Sequence, residues 1–113
     1  MLDWDRISEL REEIGVEDFA EVVALFLEET GEALSRLAAG RPTLAADLHF
    51  LKGAALNLGF ADLARMAAEG EARAGQGGAP DLASLAACYR SSRDAFLRGA
   101  AAKGYLAAAP AVR

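Results

Sequence analysis

Residues 44–58 read Leu44-Ala45-Ala46-Asp47-Leu48-His49-Phe50-Leu51-Lys52-Gly53-Ala54-Ala55-Leu56-Asn57-Leu58, and Gly59 follows as a stop. At about 100° per residue, Leu44, Leu48, Leu51, Ala55 and Leu58 gather on one side and form a core face. His49 falls on a second face, directed away from that core and flanked by the small residues Ala45 and Ala46. Lys52, Gly53 and Leu56 lie within about 60° of it on the same wheel. The segment reads as an amphipathic helix that presents an accessible imidazole on an open platform.

The segments around it repeat the helical period. Residues 3–14 place Trp4, Ile7, Leu10 and Ile14 near one face, and Gly15 ends the run. Residues 17–39 place Phe19, Val22, Phe26, Ala33 and Leu37 on a 3–4 pattern, widened by Val23, Leu27 and Leu34. Gly31 inside that run costs about 1 kcal/mol relative to alanine and marks a candidate kink or break. Gly40-Arg41-Pro42 form a turn, with Thr43 as candidate N-cap. Residues 61–74 follow residues 44–58 so closely that the two helices must form an antiparallel pair. Residues 75–80 are a glycine-rich loop, after which Asp81 caps a last helix carrying Leu82, Leu85, Tyr89, Phe96 and Leu97. That helix is expected to fray beyond Gly99. The expected fold is all-α: an antiparallel up-and-down four-helix bundle with residues 3–14 packed across it as a lid. The domain is expected to span 1–104, with 105–113 a tail lacking fixed structure.

Composition agrees with that fold and narrows the function. Of 113 residues, 27 are alanine whereas Val, Ile and Thr together supply 8, a ratio that favours helix over strand. The net charge of −5 divides unevenly: residues 1–40 carry −8 and residues 41–113 carry +3. Neither half is basic or aromatic enough for a nucleic-acid surface. No uncharged run exceeds nine residues, far short of the roughly 20 that a membrane helix needs. Asp3 and Asp5 precede the first arginine, the wrong polarity for a signal peptide, so the expected location is the cytoplasm. Cys88 is the single cysteine; it allows no internal disulfide and is expected to be a small buried apolar residue.

His49, the single histidine, limits the chemistry. A hydrolytic triad needs a nucleophile beside it, and no Ser, Thr or Cys lies near in sequence. A metal or haem site in a bundle takes several ligands from facing helices, and one histidine is too few. What remains is the histidine as its own nucleophile. The ordinary pKa of an imidazole, about 6.5, leaves it largely neutral at pH 7 and able to attack an electrophilic phosphorus. A cationic neighbour would then steady the transferred group, although Lys52 by itself reads as an ordinary surface lysine and only its place one turn from His49 argues for more. Gly53 is the other unusual residue, because glycine within a helix is unfavourable without a reason. A side chain there would lean toward His49. Asn57 is read as an aid to the helix C-terminus.

The run from His49 to Gly59 resembles the signature of histidine phosphotransfer (HPt) domains. In that family a histidine, a lysine three later, a glycine four later and a second glycine ten later recur on one helix, and His49, Lys52, Gly53 and Gly59 match them. Leu63, Ala64 and Glu71 also fall where the family's next helix has Leu-Ala and a glutamate. Two positions depart from the pattern. Leu56 is bulkier than the residue often found there, which narrows the choice of partner, and Gly70 replaces a usual leucine, which weakens the fourth helix. The resemblance implies a monomeric shuttle in a multistep phosphorelay, not an enzyme in its own right. His49 would be the phosphoacceptor and Lys52 the stabilising charge, while Ala45, Ala46, Gly53 and Leu56 form the docking surface. The implied partners are response-regulator receiver domains and a hybrid or separate histidine kinase. No cofactor is implied on this chain, since the Mg²⁺ belongs to the receiver. Two alternatives stay open: the phosphoacceptor domain of a chemotaxis-type kinase, and an interaction module in which His49 is idle.

Overall fold

Asp3 starts the first helix by accepting the Arg6 amide on its carboxylate at 3.0 Å, and Asp81 does the same for the last by accepting the Ser84 amide at 3.0 Å. The computed structural model describes residues 2–39 and 44–106. Within them the helices run in the order α1 (Trp4–Ile14), α2 (Phe19–Ala38), α3 (Leu44–Leu58), α4 (Ala61–Gly75) and α5 (Leu82–Ala102). Helix α3 packs between α2 and α4, and α5 completes the square by lying beside α4 and α2, across the core from α3. This is the expected antiparallel bundle with an additional N-terminal helix. The expected turn at Gly40-Arg41-Pro42 and the Thr43 cap lie outside the described residues.

The core is built from the predicted faces. Leu48, Leu51, Ala55 and Leu58 of α3 meet Phe19, Val23 and Leu37 of α2, Leu63 and Ala67 of α4, and Leu85 and Phe96 of α5, all buried. Each fully buried leucine or phenylalanine contributes about 1.5–3 kcal/mol of apolar burial. Leu44, at the start of α3, is half-buried against this cluster. Helix α2 is tied to α5 by the Tyr89 hydroxyl, which donates to the Leu27 carbonyl at 2.9 Å.

Helix α1 crosses the end of the bundle where α3 turns into α4. Gly59 makes that seat. Its backbone is left-handed at φ +79°, and a Cβ would stand 2.7 Å from both the Asp3 carbonyl oxygen and Ile7 Cγ1. The Asp3 amide donates to the Gly59 carbonyl at 2.8 Å, and Leu2 bridges Phe60. Trp4 then stacks on Phe96 of α5, with centroids 6.0 Å apart.

Several expectations need correction. Helix α2 runs unbroken through Gly31, because Thr30, Ala33 and Leu37 are buried on either side and outweigh the glycine penalty of about 1 kcal/mol. Helix α5 continues past Gly99 to Ala102; a side chain at Gly99 would collide with the Trp4 ring, so this glycine admits the indole rather than ending the helix. Tyr105 and Leu106, assigned to the tail, pack against the core, and the Tyr105 and Ser8 hydroxyls lie 2.8 Å apart. Residues 107–113 lie outside the described residues. Gly70 is buried, and a Cβ there would sit 3.2 Å from Pro80 and 3.4 Å from Leu48. It lets α4 approach those neighbours closely rather than merely weakening the helix. Cys88 is half-buried, not enclosed.

Candidate functional site

His49 stands on the face of α3 opposite the core, and its side chain is 70% exposed. One turn earlier lies Ala45 and one turn later Gly53, both exposed, as are Ala46 and Leu56. The residues expected to surround the imidazole therefore share its open face. No neighbouring atom lies within 4 Å of the place a Gly53 Cβ would take, so the approach along this column is unobstructed. Asn57, at the far end of the face, meets α1 through its carbonyl, which accepts from Arg6 Nε at 3.2 Å.

A residue from the next helix completes the site. Glu71 of α4 pairs with His49 Nδ1 through Oε2 at 3.0 Å and accepts from Lys52 Nζ on Oε1 at 2.9 Å. The turn at Gly59 and Phe60 explains the meeting. His49 lies eleven residues before Phe60 and Glu71 eleven after it, so an antiparallel hairpin brings them level. On α4, Ala64, Ala67 and Glu71 form one stripe at spacings of three and four. The two alanines are buried and let α4 lie close to α3. The sequence reading placed Glu71 in a family position but left it out of the site. The equal spacing about the turn is the signal that finds it.

The electrostatics of this trio are consistent with its geometry. The Lys52 hydrogen bond holds the Glu71 carboxyl below its ordinary range, against partial desolvation and with further help from His49. A carboxylate can only accept, so Nδ1 carries the proton in the neutral ring. The lone pair is then on Nε2. Lys52 is a committed partner of Glu71, a role the sequence reading did not foresee. It cancels a carboxylate that would otherwise repel an anion approaching His49.

A second tie fixes α3 from the other side. Arg36 Nε of α2 donates to the buried Asp47 carboxylate at 3.1 Å. Asp47 and Lys52 thus clamp α3 to α2 and α4 and set the rotation at which His49 points outward.

A sequence model of the Hpt domain matches residues 21–102, from the first turn of α2 to the end of α5, and leaves α1 outside the match. No curated protein and no solved structure matches the chain.

Proposed function

The chain belongs to the Hpt domain family, and from that premise we propose that it is a phosphorelay intermediate whose phosphoacceptor is His49. Membership carries histidine phosphotransfer in two-component signalling; the residue and the route are our reading. The observation that supports it most is the Glu71 bond to Nδ1, which leaves Nε2 as the basic nitrogen on a largely exposed ring. In the forward step the Nε2 lone pair attacks the phosphorus of an aspartyl phosphate on a receiver domain. The N–P bond forms while the P–O bond to the aspartate breaks, and the carboxylate departs with the electron pair. The ring becomes a phosphoimidazolium that keeps its Nδ1 proton, and the Glu71 carboxylate stabilises that positive charge. Reversal onto the aspartate of another receiver completes the shuttle. We assign the magnesium ion of this exchange to the receiver, and ATP use to a separate kinase.

Incubation with a phosphorylated receiver, and separately with an ATP-charged kinase domain, tests the assignment. Label should pass from the receiver to the parent protein and not to His49→Gln. Because His49 is exposed, that variant should stay within about 0.5 kcal/mol of the parent in stability. Label accepted from the kinase but from no receiver would instead make the domain a direct kinase substrate. Labelling of the His49→Gln variant would exclude His49 as acceptor.

A further inference from the structure

Three of the exposed large apolar side chains, Leu25 (54%), Phe50 (39%) and Leu56 (58%), belong to α2 and α3. Phe50 and Leu56 lie about 100° and 20° from His49 around α3, on the side left open to solvent. The Arg36–Asp47 pair shows which side of α2 borders α3. Steps of four, three and four residues back from Arg36 along that side reach Glu32, Glu29 and Leu25. Because the helices run antiparallel with equal rise, Glu32 comes level with Leu51, Glu29 with Ala54 and Leu25 with Leu58. The α2 stripe therefore borders the turn that carries His49 and Gly53. Arg36 is already matched by Asp47, whereas Glu29 and Glu32 pair with no cation among the described residues. Apolar ground beside the site is thus edged by two uncompensated carboxylates.

An aspartyl phosphate brings negative charge to this place, so an acidic edge here repels any partner that does not answer it. We propose that Glu29 and Glu32 select among receivers. The preferred receiver sets apolar side chains against Leu25, Phe50 and Leu56, and at least one lysine or arginine against the two glutamates. This selection presupposes that His49 accepts the phosphoryl group, and adds the charge sign of the surface that delivers it.

The probe is the phosphorylated receiver domain that labels the parent fastest in a screen of the host's receivers, assayed at low and high salt. The double variant Glu29→Lys/Glu32→Lys should lose about tenfold or more in second-order transfer rate at low salt. The loss should shrink as salt rises, and the rate at saturating receiver should be retained. Glu29→Gln/Glu32→Gln, gentler on the half-buried Glu29, should show a smaller loss in the same direction. The control Glu12→Lys/Asp94→Lys makes the same change in net charge on α1 and α5 and should stay within about twofold. If the parent is labelled and the lysine double variant matches the control, the glutamates do not select. A parent rate that rises with salt would overturn the selection equally. If no receiver labels the parent at His49, the phosphoacceptor reading falls and the selection falls with it.

Discussion

Gly53 and His49 are one turn apart, and what glycine withholds there is a side chain in the path of the attacking phosphorus. In-line attack needs the reacting atoms within about 3–3.5 Å. Nothing presses on the Cβ position of Gly53, so Gly53→Ala should raise stability by up to about 1 kcal/mol through helix propensity alone. Gly53→Gln should slow transfer sharply with His49 intact. Melting temperature and transfer rate on both variants check this, and a glutamine variant as fast as the parent would remove position 53 from the docking site. Glu71 gives a second residue-scale expectation, with a sign set by its shifted carboxyl. The pairing with Lys52 lowers it below its ordinary 4.5, so the charged network is complete above that pH and is lost as pH falls through the depressed value. An NMR titration of the Glu71 carboxyl carbon should give a midpoint under 4.5 in the parent and a higher one in Lys52→Ala. A parent midpoint at or above 4.5 would mean that the ion pair does not form in solution.

Helix α3 was legible in the sequence because a single helix carries its own period: Leu48, Leu51, Ala55 and Leu58 are buried and His49 is exposed, as the wheel requires. What one helix cannot report is its register against the next. Asp47 sits at the edge of the wheel's core face, about 20° from Leu58, but the wheel does not name Arg36 of α2, which the carboxylate meets there. Glu71 matches a family position in the sequence, but only the hairpin about Phe60 sets it beside His49. Glycines were misread for the same reason, since a propensity penalty is local and a close approach is not. Gly70 and Gly99 each leave room for a neighbour that sequence spacing does not name: Leu48 and Pro80 for one, Trp4 for the other. Gly70→Leu, which restores the residue expected from the family pattern, should therefore destabilise by about 1–3 kcal/mol through overpacking. Denaturant unfolding measures it. A more stable leucine variant would show that α4 can move away from Leu48 at no cost.

At the scale of the molecule, the site and the lid sit on different parts of the bundle and are joined through Gly59. Helix α1 lies outside the residues that match the Hpt domain, yet its aromatic contacts are shared with the bundle. Trp4 stacks on Phe96, which packs against Phe60 at 5.7 Å between centroids, and Tyr105 meets both Trp4 and Phe19 edge-on. Arg11 lies over the Tyr105 ring at 4.5 Å, joining α1 to the segment after α5. Rings drawn from α1, α2, the α3–α4 turn, α5 and Tyr105 thus close one end of the bundle together. A helix held this way should unfold with the rest. Trp4 is the single tryptophan, so its fluorescence reports the docking of α1 against α5 and Tyr105, whereas far-UV circular dichroism reports all the helices. The two unfolding curves should coincide. Trp4→Ala should cost about 3 kcal/mol, the low end for a large aromatic because the ring is only partly buried. Under conditions where that variant stays folded, transfer through His49 should proceed at the parent's rate, since Phe60, the ring of this cluster at the α3–α4 turn, lies eleven residues along the chain from both His49 and Glu71. A fluorescence transition that precedes the loss of helicity would show α1 to be a separately opening lid. Slower transfer in folded Trp4→Ala would show that the lid reaches the site through Gly59.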